Sequence, residues 1–314
     1  MKVVFHYDAG PRLVGRLAAL SAEGLSVAPC TEGDDARFLR LMAEAEVLWH
    51  VLRPVTAEVI AGAPRLRLIQ KIGVGLNTID VEAARGRGIA VANMPGTNSR
   101  AVAEMTLLLM LAALRRLPAF DAGMRRGAGW DWPPRLQDGL GEICGRTVGL
   151  VGYGAVPRIL APILGAMGAV VLYTATAPKP DAAGDWRQFD DLLAESDIVS
   201  LHLPLTEETE GVVDADALAR MKPGAVLVNT ARGGLVDQAA LIEALKGGRL
   251  GAAGLDVFAA EPVLKGDPLL GLENVVISPH VAWLSGETLE RSLEVAVENC
   301  RRLARGEALL HQVA

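Results

Sequence analysis

The chain has 314 residues, enough for about two domains of ordinary size. Its 31 basic and 37 acidic residues give a net charge of −6, which argues against a nucleic-acid partner, because such proteins usually carry a basic face. Hydrophobic residues make up 51% of the chain, so large cores are expected and extensive disorder is excluded.

The longest apolar run, Met105 to Leu114, is about half the length that a bilayer span requires, and it predicts a buried helix. The N-terminal segment is too short for a signal peptide and predicts a first strand. The three cysteines have no CxxC spacing and predict no disulfide framework. We therefore expect a cytoplasmic protein with no membrane or nucleic-acid partner, and no residue is expected to bind a metal.

Short β-branched runs alternate with helical segments, the pattern of parallel sheets covered by helices. Four strands are predicted in the first part of the chain: Val3–His6, Val47–Val51, Leu66–Ile72 and Ile89–Asn93. The longest helical segment follows, from Ser99 as its N-cap to Leu117. A looser stretch rich in Gly, Trp and Pro then occupies 127–134.

A second alternation begins at Arg146. Its predicted strands are Thr147–Val151, Val170–Tyr173, Ile198–His202, Ala225–Asn229, Gly251–Val257 and Val275–Ser278. Predicted helices include Pro157–Met167, Gln238–Leu245 and a final amphipathic helix, Gly286–Arg305. The pattern predicts an α/β protein with two doubly wound parallel-sheet domains. Periodicity leaves open which domain the last helix covers.

A glycine-rich turn opens the second alternation. Gly152 and Gly154 lie between an apolar strand and a helix, where the backbone can approach a pyrophosphate and free helix N–H groups can bind it. Pro157 replaces the third glycine of the usual fingerprint, which a first helical turn tolerates. We expect a dinucleotide site that includes Ala155 and Val156; the alternative is a structural glycine turn.

The next strand lacks the acidic residue that normally holds the adenosine ribose of NAD. Thr174, Thr176 and Lys179 follow the strand instead, and no carboxylate precedes Asp181. Nothing there repels a 2′-phosphate, and the hydroxyls and the lysine can bind one. NADP(H) is therefore favoured over NAD(H); the alternative is a solvated loop with a chance lysine.

Three later strands each lead into a polar residue that a core would not need: Arg232, Glu261 and His280. Because the carboxyl ends of parallel strands face one crevice, these residues are expected to meet. Arg232 can hold the carboxylate and carbonyl of a 2-keto acid, and His280 can donate a proton to the developing alkoxide. Glu261 would keep the imidazole protonated and oriented. Taken one at a time, each residue has a structural alternative: a helix-cap contact for Arg232, a surface charge for Glu261 and a core position for His280.

These segments resemble the D-isomer-specific 2-hydroxyacid dehydrogenase family over nearly the whole chain. The motifs that carry the resemblance are Lys71–Asp80, Gly88–Asn93, Ala101–Glu104, the glycine turn, Ser196–Thr206, and the segments 228–233, 254–262 and 277–280. The resemblance implies that Arg232, Glu261 and His280 are catalytic. It also implies that the backbone N–H groups of Val74 and Gly75 bind the substrate carboxylate.

The family resemblance further implies that a nucleotide domain, 99–284, is inserted into a substrate domain made of 1–98 and 285–314. It places Asp256 near the nicotinamide, and it implies a homodimer formed through the long helix that begins near Ser99. The remaining expected cofactor contacts are His202, Leu203, Pro204, Thr230 and Ala231. His202 is expected to line the cofactor cleft rather than to transfer protons.

The similarity is closest in kind to glyoxylate/hydroxypyruvate reductases, although the arginine those enzymes often carry near Thr176 is absent. The expected activity is reduction of a small 2-keto acid to a D-2-hydroxy acid; the alternative is an NAD(H)-sensing, corepressor-like binding protein. Trp283 is expected to narrow the substrate pocket. Trp130 and Trp132 either reach a partner subunit's site or pack locally, and His6 and His50 are expected to be structural.

Overall fold

The computed structural model describes residues 1–132, 134 and 139–314, so Pro133 of the loose stretch lies outside the described residues. The chain divides into two compact units, residues 1–98 with 285–314, and residues 99–284. Each unit is built on one parallel sheet. The predicted fold class, α/β with two doubly wound parallel sheets, is confirmed.

The first unit contains five strands and five helices. Its strands are β1 (Lys2–His6), β2 (Ser26–Cys30), β3 (Val47–His50), β4 (Leu68–Lys71) and β5 (Ala90–Ala92). Its helices are α1 (Pro11–Ala19), α2 (Asp35–Met42), α3 (Ala57–Ala61), α4 (Val81–Gly86) and α11 (Gly286–Arg305). The strands pair in the order β2-β1-β3-β4-β5, all in parallel.

The C-terminal helix α11 is joined to the sheet of the first unit by a buried pair of amides. Asn299 of α11 and Gln70 of β4 are both fully buried. The Asn299 Nδ2 donates to Gln70 Oε1 at 2.6 Å, and Gln70 Nε2 donates to the carbonyl of Ala92 at 3.1 Å. The last helix therefore packs within the first unit, a point that its periodicity left open.

The second unit contains seven strands and six helices among its described residues. Its strands are β6 (Thr147–Val151), β7 (Val170–Thr174), β8 (Asp185–Trp186), β9 (Ile198–Leu201), β10 (Ala225–Asn229), β11 (Leu250–Leu255) and β12 (Val275–Ile277). Its helices are α5 (Ser99–Leu114), α6 (Leu117–Arg125), α7 (Ala155–Ala166), α8 (Phe189–Glu195), α9 (Ala215–Arg220) and α10 (Gln238–Lys246).

The strand order of this sheet is β12-β11-β10-β9-β6-β7-β8, all parallel. The order reverses between β6 and β9, the point at which open α/β sheets bind ligands beyond the carboxyl ends of the strands. Helices α5 and α7 bury one face of the sheet, and α8, α9 and α10 bury the other. The loops at the carboxyl edge are therefore mounted on strands packed from both sides.

The predicted helix from Ser99 to Leu117 is wrong in its extent, because two helices occupy this stretch. Arg116 adopts a left-handed conformation (φ 47°), and Pro118 lies in the first turn of α6, so α5 ends at Leu114. Ser99 is already helical rather than an N-cap, and the longer helix is α11, with 20 residues against 16. None of the helices in the described ranges is long and apolar enough to cross a membrane.

Candidate active site

The glycine turn after β6 has the geometry of a phosphate cradle. Gly152 has φ 95°, and a Cβ there would stand 2.9 Å from the carbonyl oxygen of His202, so only glycine fits. A Cβ on Gly154 would meet nothing within 4 Å, so open space precedes the first turn of α7. The N–H groups of a first helical turn have no partner within the helix, and they favour an anion. The turn therefore fits a dinucleotide pyrophosphate.

The loop after β7 is held in place by aromatic side chains. The Tyr173 hydroxyl accepts a hydrogen bond from the backbone N–H of Lys179 at 2.6 Å, and Thr176 is exposed between them. Asp181, the first carboxylate after the strand, forms an ion pair with Arg158 of α7. That bond holds the pKa of Asp181 below its usual value. The negative charge nearest this loop is thus partly neutralised.

His202, Leu203 and Pro204 follow β9, directly across from the glycine turn. The backbone N–H of His202 donates to Val151 at 2.8 Å, and its ring Nε2 is 3.0 Å from Ser200 Oγ. Desolvation lowers the pKa of His202 to about 3, so its imidazole is neutral at pH 7. A neutral ring is a poor proton donor, so His202 is better suited to lining the cleft than to proton transfer.

A buried asparagine shapes the turn that carries Arg232. Asn229 ends β10; its Oδ1 accepts from the N–H of Ala231 at 3.0 Å, and its Nδ2 donates to the carbonyl of Arg232 at 2.8 Å. The Thr230 hydroxyl is bonded to Thr106 Oγ1 of α5 at 2.8 Å. Burial lowers the pKa of Arg232, while the charge of Glu261 opposes that shift.

Glu261 and His280 are joined by a short hydrogen bond. The His280 Nδ1 lies 2.7 Å from Glu261 Oε2, and Glu261 Oε1 accepts from the backbone N–H of Phe258 at 2.9 Å. Burial opposes ionisation of Glu261, but the hydrogen bond to His280, the backbone contact and the charge of Arg232 hold its pKa below the usual value. Glu261 is therefore a carboxylate at neutral pH, and His280 Nε2 is left for a ligand.

His280 adopts a left-handed backbone conformation (φ 53°), which is uncommon outside glycine. The adjacent strand β11 leads into Asp256, 1% exposed, whose backbone carbonyl accepts from the His280 N–H at 2.8 Å. Its carboxylate accepts from the hydroxyl of Ser278 at 2.6 Å and from the N–H groups of Val281 and Ala282, both at 2.9 Å. Burial raises the pKa of Asp256 against these hydrogen bonds. Asp256 thus shapes the His280 turn, while its contact with the nicotinamide stays a prediction.

The tryptophans differ in environment. Trp283 is 7% exposed, and its Nε1 donates to the His280 carbonyl at 3.1 Å, so it also supports this turn. Its contact with substrate stays a prediction. Trp132 packs edge-to-face on Phe120, whereas Trp130 is 86% exposed.

Sequence reasoning missed Asn229, Asp256 as a support of the turn, and Gln238. The Gln238 Oε1 accepts from the N–H of Ala259 at 3.0 Å and so fixes the segment that carries Glu261. The available signal was a polar residue at the end of a buried strand, which Asn229 and Asp256 both show. Their hydrogen-bond partners, however, come from the tertiary structure.

In the first unit, the loop after β4 is bound through its carbonyl groups. The Gly73 carbonyl accepts from the N–H of Met94 at 2.8 Å, and the Val74 carbonyl accepts from Asn93 Nδ2 at 3.0 Å. Within the described residues, the N–H groups of Val74 and Gly75 donate no hydrogen bond. Two free N–H groups in succession suit a carboxylate ligand.

Comparison with known proteins agrees with this geometry. Residues 107–282 match the sequence model of the D-isomer-specific 2-hydroxyacid dehydrogenase NAD-binding domain. The glyoxylate reductase of Korarchaeum cryptofilum is 43% identical over 260 residues, covering 81% of this chain and 78% of that protein. The crystal structure of the TT0316 protein from Thermus thermophilus covers 100% of both chains, with 39% identity and a TM-score of 0.90.

The chain belongs to the D-isomer-specific 2-hydroxyacid dehydrogenase family, and its second unit matches a nicotinamide-cofactor domain. The D-3-phosphoglycerate dehydrogenase of Mycobacterium tuberculosis is 42% identical over 279 residues, which cover 87% of this chain. The chain spans about half of the length of that relative, 52%.

Proposed function

We propose that this chain reduces a small 2-keto acid of the glyoxylate or hydroxypyruvate type to the D-2-hydroxy acid, with a nicotinamide cofactor. The observation that carries the proposal is the 2.7 Å contact between His280 Nδ1 and Glu261 Oε2. The charge of Arg232 is near enough to help lower the pKa of Glu261. A paired imidazole and a guanidinium at the carboxyl edge of a dinucleotide-binding sheet supply the groups that keto-acid reduction needs. The related glyoxylate reductase supports the substrate class.

The substrate is held by charge and by backbone N–H groups. Arg232 binds the carboxylate and the carbonyl oxygen of the keto acid through its planar guanidinium. The N–H groups of Val74 and Gly75 bind the carboxylate. This assigns residues 1–98 with 285–314 to the substrate domain and residues 99–284 to the cofactor domain.

His280 is the proton donor in this proposal. Because Nδ1 is bonded to Glu261, Nε2 faces the carbonyl oxygen and gives it a proton as the C–H bond forms at C2. The hydride comes from the nicotinamide when the cofactor is bound. The neutral imidazole that results takes a proton from water, and Glu261 stabilises the imidazolium before and after the turnover.

The cofactor-binding residues of the proposal surround the glycine turn and the neighbouring strand ends. They are Gly152, Gly154, Ala155, Val156, Thr174, Thr176, Lys179, His202, Leu203, Pro204, Thr230, Ala231 and Asp256. NADP(H) is preferred, because the loop after β7 offers two hydroxyls and a lysine, and Arg158 partly neutralises Asp181. Calorimetric Kd values for NADPH and NADH test this preference; tighter binding of NADH would refute it.

Activity is tested by following the absorbance of reduced nicotinamide with a panel of 2-keto acids. We expect turnover of glyoxylate or hydroxypyruvate, and we expect His280→Ala to lower kcat by roughly 10² to 10⁴, the range of general acid catalysis. Unchanged NADPH affinity in the variant would show that the fold is intact. Equal turnover of variant and wild type would remove His280 from the mechanism.

A cytoplasmic homodimer formed through α5 completes the proposal. Leu108 of α5 and Leu117 of α6 are 52% and 55% exposed, and burial of such side chains favours association. Light scattering after size exclusion measures the mass; a monomer at micromolar concentration would contradict the dimer.

A further inference from the structure

The carboxyl edge of the first sheet carries a row of basic residues that the proposed chemistry does not use. His6, His50 and Lys71 end β1, β3 and β4, and they share one register: His6 pairs with His50, and His50 with Lys71. They are 1%, 0% and 6% exposed. Residues in register on neighbouring strands project from the same face, so the three side chains lie next to one another.

The two histidines of this row are neutral at pH 7. Burial, and then the charge of Arg53, lower the pKa of His6 to about 4, although Asp35 and Asp8 oppose the shift. Burial, followed by the charges of Lys71 and His6, lowers the pKa of His50 well below its usual value. The positive charge of the row is therefore that of Lys71.

Lys71, the last residue of β4, contacts the segment that follows β3 and the far end of the loop that contains Val74 and Gly75. Its Nζ donates to the carbonyl of Val51 and lies 3.4 Å from Thr78 Oγ. The Thr78 Oγ is also 2.9 Å from His50 Nε2, and the Thr78 carbonyl accepts from the N–H of Val55 at 2.8 Å.

These contacts form a chain from Lys71 through Thr78 to His50. An ammonium only donates, so the Thr78 hydroxyl accepts from Lys71, while the direction of its bond with His50 Nε2 depends on the tautomer of the imidazole. Because the pKa of His50 is lowered well below its usual value, the charged member of the chain is Lys71. Lys71 and His50 together hold Thr78 at the end of the loop that contains Val74 and Gly75. At the start of this loop, a Cβ on Gly73 would stand 3.6 Å from Lys71 Cε.

We propose that Lys71 is a positioning residue of the substrate-carboxylate loop: its buried ammonium holds the loop through Thr78 and adds positive potential beneath the N–H groups of Val74 and Gly75. The inference rests on the proposed function, because it takes the ligand of this loop to be a carboxylate. A charge in a poorly solvated position acts on nearby ligands more strongly than one in water.

Oxalate, a small dicarboxylate, is a suitable probe, titrated calorimetrically into enzyme saturated with NADPH. Lys71→Met removes the charge and keeps an unbranched side chain. In this variant we expect the Kd for oxalate and the KM for the keto acid to rise roughly tenfold or more, the effect of removing one poorly solvated charge near a carboxylate. The kcat and the NADPH Kd stay within about twofold, because the proton donor and the cofactor turn belong to the second unit.

Thr78→Val removes the hydroxyl that links Lys71 to His50 but retains the lysine. It tests the same role if Lys71→Met folds poorly. We expect a smaller rise in the oxalate Kd, with urea unfolding close to that of wild type. Lys2→Met, which removes an exposed lysine at the other end of the sheet, is the matched control and should leave oxalate affinity unchanged.

The outcomes distinguish the role of Lys71 from the proposed function on which it rests. Unchanged oxalate affinity and KM in folded Lys71→Met, or in Thr78→Val if only that variant folds, would overturn the role of Lys71. A wild-type protein that neither binds oxalate nor reduces any keto acid would overturn the proposed function itself. A fall in kcat with constant KM would also contradict a role in carboxylate binding.

Discussion

Glu261 controls the orientation of the proposed proton donor because its two oxygens have different partners. Oε1 is fixed by the N–H of Phe258 in its own loop, and Oε2 accepts from His280 Nδ1. The ring of His280 is therefore oriented by a carboxylate that is itself anchored to the backbone. Orientation and charge can be separated by an isosteric amide.

Glu261→Gln should change the pH–rate profile for keto-acid reduction, because Glu261 is a carboxylate at neutral pH and the variant removes that charge from beside His280. The imidazolium loses its counter-charge in this variant, while the shape of the side chain is retained. The measurement is kcat against pH, with Glu273→Gln, an exposed residue before β12, as control. An identical profile would make Glu261 merely structural.

At the residue scale, candidate catalytic side chains could be predicted from the sequence, whereas the hydrogen bonds that hold them in place could not. Arg232, Glu261 and His280 could be singled out because each follows a buried strand and would be costly in a core. The left-handed conformation of His280 and the carboxylate of Asp256 beneath it could not, because the hydrogen bonds that fix them join separate strands.

The segments that follow β10 and β11 contact each other backbone to backbone. A Cβ on Gly233 would stand 1.9 Å from both the carbonyl carbon and the carbonyl oxygen of Phe258. No rotamer change can relieve such a clash. Glycine at this position therefore permits the turn of Arg232 to approach the segment that carries Glu261.

Gly233→Ala should destabilise the protein by about 3 kcal/mol, the upper range for overpacking, and should reduce kcat/KM sharply, because Arg232 is moved from Glu261. Gly234→Ala is the matched control, since its Cβ would meet only the side chain of Leu205, at 3.0 Å. Urea unfolding and steady-state kinetics measure both effects. The argument fails if the two variants behave alike.

At the element scale, the central strands and the edge strands β5 and β12 were predictable, whereas the edge strands β2 and β8 were not. Thr147–Val151 and Ala225–Asn229 have the predicted bounds, because apolar runs buried on both faces give a continuous signal. The edge strand β2 contains Pro29, which removes a ladder donor, and β8 has only two residues. Neither has a pattern that distinguishes it from a loop.

Acid acts on the whole molecule through its buried neutral histidines. His6 titrates near 6.5 when unfolded and at about 4 when folded, so the unfolded chain binds more protons between these values. The contribution of His6 to stability is complete above pH 6.5 and declines as the pH falls toward 4. The loss at about pH 5 is at most about 2 kcal/mol.

His6→Phe should make the free energy of unfolding less dependent on pH, because it removes the titrating group and preserves the stacking on Phe38, whose ring centroid is 3.8 Å away. Urea unfolding near pH 7 and near pH 5 measures the difference. The exposed His311, changed to Asn, is the control. An equal loss of stability in wild type and His6→Phe would contradict the assignment to His6.

The connection between Gln70 and Asn299 has a consequence for how the polypeptide matures. Their side chains are 229 positions apart, so a ribosome must produce the entire intervening unit before the amide of Gln70 meets its partner. The N-terminal sheet is thus among the first parts translated and the last to be completed. Until then its exposed apolar face is a target for chaperones, and slow synthesis beyond residue 98 should prolong that vulnerable interval.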